Sequence, residues 1–205
     1  MHQEAASELG AILLAGGRAS RVGGAPKPLF EVGGRTLLAA AVDAVRDGGA
    51  RPITVAAPLL DPALDVGWVQ ENPPFGGPVA GAVAVLDEWD RAGWMPAWTF
   101  LLACDLPRVA DAVAQLARDL PLLPRDADGI CLGDPSSRPQ WLTGVYRVAA
   151  LRRAAAALPD LGRDAPVRAL VSDLAIAVVA ASGDLTDDID TWEDLEHART
   201  RAANP

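Results

Sequence analysis

A chain of 205 residues, half of them apolar, is long enough for one α/β domain with a substantial core. Its formal net charge of −9 excludes a general binder of nucleic acid or of anionic membrane, either of which presents a broad basic surface, and points to small-molecule partners. Cys104 and Cys131 have no CxxC spacing, and His2 and His197 are the only imidazoles, so neither a disulfide framework nor a structural metal is expected.

Met1 to Glu8 is polar and acidic rather than basic and then apolar, and no apolar run approaches membrane-span length. This predicts a soluble cytoplasmic protein with a flexible segment at 1–8 and a single domain over 9–203. Ala11 to Ala15 has the composition of a fully buried strand. A glycine-rich loop follows through Phe30, then a turn at Val32-Gly33-Gly34-Arg35 and a helix from about Thr36 to Asp47, stopped by Gly48-Gly49. Pro52 to Ala57 reads as a second buried strand and Trp68-Val69 as a short third. The segment Glu71 to Pro78 is too rich in Pro and Gly for regular structure and opens into a helix from about Val79 to Arg91.

Trp98 to Ala103 is a long buried strand that ends on Cys104-Asp105-Leu106-Pro107, where the proline forbids further pairing. A helix is expected over 109–119 and a short strand over 129–132. A polar turn at Asp134 to Pro139 leads to Gln140-Trp141-Leu142-Thr143-Gly144-Val145-Tyr146. Helices at 148–158 and 167–173 and a last apolar strand at 176–180 complete the pattern. In the tail, Thr191 with Asp194 three residues on forms an N-cap signature for a closing helix that runs towards Ala203. Alternation of strands and helices at this spacing predicts a Rossmann-like three-layer domain with a mostly parallel sheet, whose ligands collect beyond the carboxyl ends of the strands.

The informative stretch is the loop after the first strand. From Leu9 to Phe30 there is no Asp or Glu, although the chain is acidic, and Gly16-Gly17, Arg18, Arg21, Gly23-Gly24 and Lys27 follow one another. Glycine lets backbone amides approach an anion closely, and Arg and Lys supply the charge a polyphosphate needs. The loop is not a Walker A motif, since no GK[ST] occurs, and no GxGxxG is present. Asp105 at a strand end suits either of two roles: a cap for the next helix, or a magnesium ligand bridging nucleotide phosphates. Asp188 and Asp190 suit a solvated acidic turn, or a pair that sends one carboxylate back to the same metal. Arg138, Gln140 and Trp141 sit near the expected open edge and are candidates for a second substrate.

Taken together, LAGGRASRVGGAPKPLFEVGGRTLL, PPFGGPVAGA, LLACDLP, RPQWLTGVYR and DIDTWEDL resemble, in order and spacing, the nucleotidyltransferase family that includes the molybdenum cofactor guanylyltransferases. The resemblance runs from Ala11 to about Leu195. It implies a fold of the nucleotide-diphospho-sugar transferase type, with Mg²⁺ as cofactor, and transfer of GMP from GTP to molybdopterin. It also implies transient contact with proteins that deliver molybdopterin or mature molybdoenzymes. By this resemblance the backbone at Leu14, Ala15, Gly16 and Gly17 holds the nucleotide, Arg21 and Lys27 contact its phosphates, Asp105 binds magnesium, and Glu71 accepts from the guanine edge. Asp188 and Asp190 match a closing motif that completes the metal or pterin site.

The chain departs from the family pattern at Val22, Pro26, Ala56-Ala57 and Glu71. Base and acceptor therefore stay open. The alternatives are a molybdopterin cytidylyltransferase, a phospholactate guanylyltransferase, a sugar-phosphate nucleotidyltransferase and a nucleotide-binding protein without turnover.

Overall fold

The computed structural model describes residues 9–17 and 25–203. Arg21 and the segment 1–8 lie outside the described residues. Seven strands form one sheet in the order β5-β4-β1-β6-β8-β7-β9. They are β1 (Leu9–Leu14), β4 (Ile53–Ala56), β5 (Gly67–Val69), β6 (Trp98–Ala103), β7 (Gly129–Gly133), β8 (Pro139–Arg147) and β9 (Ile176–Ala180). All neighbours pair parallel except β8, which runs antiparallel to both β6 and β7. A two-stranded hairpin, β2 (Glu31–Val32) with β3 (Arg35–Thr36), stands apart from it.

The central strand shows why the run LGAILL is a strand here rather than a helix. Ala11, Leu13 and Ala15 enter one core cluster and Ile12 and Leu14 the other, the period of two that places alternate side chains on opposite faces of a sheet covered on both sides. The first cluster is completed by helices α1 (Leu37–Asp47) and α3 (Val109–Asp119), the second by α2 (Gly77–Arg91), α4 (Val148–Ala156) and α5 (Val167–Val171). This is the expected three-layer domain.

Local chemistry sets the helix ends. The hydroxyl oxygen of Thr36 accepts from Ala39 N at 3.1 Å and starts α1. The closing helix α6 (Trp192–Ala203) opens on a reciprocal cap in which Asp194 N donates to Thr191 Oγ1 at 3.2 Å and Thr191 N donates to Asp194 Oδ2 at 2.7 Å. Thr191→Ala is expected to lower unfolding free energy by about 1 kcal/mol, measurable by urea denaturation.

In the second core Trp89 is fully buried and its indole N–H donates to Thr54 Oγ1 at 2.8 Å, which satisfies the one polar atom the ring carries inside. Gly10 lies against that ring, and a Cβ there would come within 2.8 Å of it. Gly10→Ala should therefore cost about 1–3 kcal/mol through overpacking, read as a lower thermal midpoint with unchanged far-UV signal.

Most expected elements coincide with observed ones, and β6, α3 and β9 have the expected bounds. Two differ. Helix α2 begins at Gly77 because Pro78, near its start, needs no amide partner there. The stretch after the polar turn is a nine-residue strand, β8.

Candidate functional site

Strands β1 and β6 are parallel neighbours with Leu14 opposite Ala103, so the chain leaves both at the same level of the sheet's carboxyl edge. Cys104 N donates to Leu14 O at 3.1 Å and continues that pairing one step beyond the strands. The glycine loop and Asp105 thereby emerge side by side. Because β4 lies on one side of β1 and β6 on the other, this is the switch point at which a crevice opens in a doubly wound sheet.

The crevice is a cleft of about 440 Å³. Leu14, Ala15, Gly16, Gly17, Lys27, Glu71, Asp105 and Asp190 all line it, which brings together most of the residues expected from the sequence although they span the chain. Gly17 has φ of +149° with nothing within 4 Å of a notional Cβ, so backbone strain rather than space disfavours a side chain there. An adjoining pocket of about 360 Å³ shares Leu14, Gly16, Gly17, Glu71 and Phe75 with the cleft and adds Gly77, Gly81 and Asp164.

Lys27 opens a short 3-10 turn, Lys27–Leu29, closed by Phe30 N donating to Lys27 O. Its ammonium donates to Asp190 Oδ1 at 2.5 Å, and the lysine side chain is only 16% exposed. Asp190 is itself held from behind, since its N–H donates to the Asp194 Oδ2 of the α6 cap. Between the two aspartates of the closing motif, Ile189 is fully buried with Leu37, Leu195 and Ala198, and its N–H donates to Asp105 O at 3.0 Å. That single backbone bond ties the acidic tail to the end of β6.

Asp188 and Asp190 are separated by the fold. Asp190 lines the cleft, whereas Asp188 lines a different cavity of about 750 Å³ beside α6. Asp188 still acts on the cleft through its charge. Burial first and the Asp188 charge second push the Asp105 carboxyl up from its ordinary 3.8 to about 6, against the opposing pull of Lys27. Asp188 is raised as well, by burial and by Asp190.

The capping role for Asp105 is excluded: α3 starts after Arg108, two residues beyond Pro107, without a side-chain cap bond. A partly buried carboxylate facing like charges, with phosphate-sized space in front of it, has the donor chemistry of a hard divalent cation site. Among the described residues no three His, Cys, Asp or Glu side chains converge as a metal cage. An ion beside Asp105 would thus take at most Asp190 as a second carboxylate from the cleft's described lining and draw its remaining ligands from phosphate and water, as Mg²⁺ ordinarily does. Both cysteines are buried and free. Burial and the neighbouring Asp105 push the Cys104 thiol far up, and burial pushes Cys131 up to about 12, so neither is a nucleophile at neutral pH.

Glu71 Oε1 accepts from Gly76 N at 3.1 Å, fixing the turn that leads into α2. Arg138, Gln140 and Trp141 are not among the cleft's lining residues. Asp134 ties their turn internally, its Oδ1 accepting from the Ser136 and Arg138 amides and its Oδ2 from the Gln140 side chain. Among the residues of the site with no assigned role in the sequence are Phe75 and Asp164. Phe75 stood in the quoted PPFGGP block; Asp164 carried no signal, because only the folded chain brings it to Gly76.

A family model described as the MobA-like NTP transferase domain matches residues 11–178. A molybdenum cofactor guanylyltransferase from Bradyrhizobium sp. (strain ORS 278) is 36% identical over 119 residues, covering 56% of this chain and 49% of that protein. The chain spans about half the length of such curated relatives. Molybdopterin-guanine dinucleotide biosynthesis protein A from Archaeoglobus fulgidus has a TM-score of 0.66 at 17% identity, covering 95% of this chain and 99% of that one. The 2-C-methyl-D-erythritol 4-phosphate cytidylyltransferase from Thermus thermophilus has a TM-score of 0.64 at 19% identity, covering 94% and 98%. At these identities the two structures show a shared fold. Among the described residues no helix is long and apolar enough to cross a membrane.

Proposed function

The chain belongs to the MobA-like NTP transferase family, and on that premise we propose that it moves GMP from GTP onto the terminal phosphate of molybdopterin or its molybdenum-loaded form. A phosphate oxygen of the pterin attacks the α-phosphorus, a new P–O bond forms, the bridging bond to the β-phosphate breaks, and pyrophosphate leaves. The observation that carries this reading is the pairing of β1 with β6, which sets the glycine loop, Lys27 and Asp105 around one cleft.

No covalent enzyme intermediate is needed, and positioning with charge neutralisation does the work. The amides at Leu14 to Gly17 seat the phosphates, Lys27 passes from Asp190 to a phosphate oxygen, and Arg21 adds a second positive charge. Asp105 would hold Mg²⁺ with Asp190 as the neighbouring oxygen donor; the bound ion supplies charge stabilisation at the transferring phosphate. Glu71 offers a carboxylate edge, which suits a base presenting two adjacent donors, as guanine does. The curated relative's name supports the guanine and molybdopterin assignments.

Pyrophosphate release is the test, with GTP, CTP, ATP and UTP each offered with magnesium, in the presence and absence of molybdopterin. Release with GTP and molybdopterin together is expected. Release with CTP instead would transfer the assignment to a cytidylyltransferase, and release with none of the four would overturn it.

A further inference from the structure

Phe75 is a large aromatic residue 53% exposed at the mouth of the cleft. Its backbone has φ of +64°, a left-handed conformation that side chains other than Gly and Asn rarely adopt. Such strain persists only where surrounding contacts over-determine it, and here they do. Gly76 N donates to Glu71 on one side, and on the other Asp164 N donates to Gly76 O at 2.7 Å while Arg163 Nη1 donates to Pro73 O at 2.9 Å. The turn is thus clamped by a segment some ninety residues later in the chain, with the phenyl ring presented rather than tucked into either core.

The ring lines both the 440 Å³ cleft and the adjoining 360 Å³ pocket. The rest of that pocket's wall is small or apolar: Gly16, Gly17 and Gly77 contribute no side chain, Leu14, Ala56 and Pro78 complete it, and a Cβ on Gly81 would stand 3.3 Å from that of Ala56. An aromatic face beside a glycine-lined wall leaves room for something flat. Glu71 and Asp164 line the same pocket, and carboxylates are acceptors for donors on the edge of such a group.

We propose that Phe75 is the stacking face for the nucleobase of the donor nucleotide, an inference that rests on the nucleotidyl-transfer reading above. Every base has a π-face, so stacking adds affinity without selecting among bases; selection falls to the acceptors on the pocket edge. Phe75 therefore strengthens binding of all nucleotides alike and contributes nothing to a phosphate chain that carries no base.

Calorimetric titration of the full chain with GTP, CTP and inorganic tripolyphosphate, all with magnesium, tests this. Phe75→Gly removes the ring and also relaxes the positive φ, so the fold is retained; Phe75→Tyr keeps the ring, and Phe75→Leu keeps apolar bulk without a π-face. Gly and Leu are expected to weaken GTP by about 10- to 100-fold and CTP by a similar factor, with tripolyphosphate unchanged and Tyr within about twofold of wild type. Wild-type GTP affinity in the Gly or Leu variant would overturn the stacking role. Equal losses for GTP and tripolyphosphate would also overturn it, by showing a collapsed loop instead. Wild-type protein that binds no nucleotide would overturn the nucleotidyl-transfer reading itself.

Discussion

Lys27→Ala is expected to lower turnover by about two to three orders of magnitude, the usual cost of removing one preorganised donor from developing charge, while unfolding free energy falls by only about 1 kcal/mol. Among the described residues lining the cleft, Lys27 is the one Lys or Arg, and it acts on Asp105 and Asp190 against the charge of Asp188. Without it the described lining of the cleft presents Asp105 and Asp190 to an incoming triphosphate with no Lys or Arg among them. The Michaelis constant should rise with the fall in kcat, because charge is lost from both the bound and the transition state. The small stability change follows from the partner: the Asp190 side chain is 38% exposed and keeps access to water. Lys27→Arg should recover part of the binding but little turnover, since a planar fork does not fit a seat made for a compact ammonium. Steady-state kinetics with urea unfolding of the same preparations would check this, and turnover within tenfold of wild type in Lys27→Ala would remove the lysine from the mechanism.

The elements that the sequence made legible share a physical reason. Trp98 to Ala103 and Ile176 to Ala180 are apolar runs closed by a Cys-Asp-Leu-Pro stop and a Ser-Gly turn, and their strand bounds could be read directly. Strand β8 carried no such signal. Its register slips at Cys131/Leu132, and Gly144 sits mid-strand because a Cβ there would come within 2.6 Å of Ile130 O; a glycine inside a strand weakens the pattern that announces one. In the site the same division holds. The glycine loop, Lys27 and Asp105 are local signals, each attached to the end of a recognisable element. Phe75 and Asp164 belong together only because the 160–164 segment, with φ of +48° at Asp160 and +54° at Leu161, folds back onto the turn before α2. The split between Asp188 and Asp190 was equally hidden, since residues two apart in an extended run are expected on one side, yet they line different cavities.

Asp105→Asn should abolish metal-dependent turnover and at the same time stabilise the metal-free protein at neutral pH. The first effect follows from losing the carboxylate that would hold the ion, worth several kcal/mol of charge stabilisation and so about three orders of magnitude or more in rate. The second follows from linkage. Asp105 has its carboxyl raised from 3.8 in the unfolded chain to about 6 in the fold, so between these values the folded state binds more protons than the unfolded one. Stability then falls as pH rises. Below about pH 4 both states are protonated and the penalty is absent; above about pH 6 it is complete, at up to about 3 kcal/mol. Asparagine is neutral throughout and escapes it. In chelator-treated protein at pH 7.5 the Asn variant should melt higher by on the order of 5–10 °C, with the two curves converging near pH 4. Magnesium should reverse the order by raising the wild-type midpoint alone, because a dication turns the same buried charge into a favourable one. Midpoints that differ equally at pH 4 and pH 7.5 would show that the Asp105 carboxyl is not held against ionisation. A magnesium shift retained in full by the Asn variant would place the ion elsewhere.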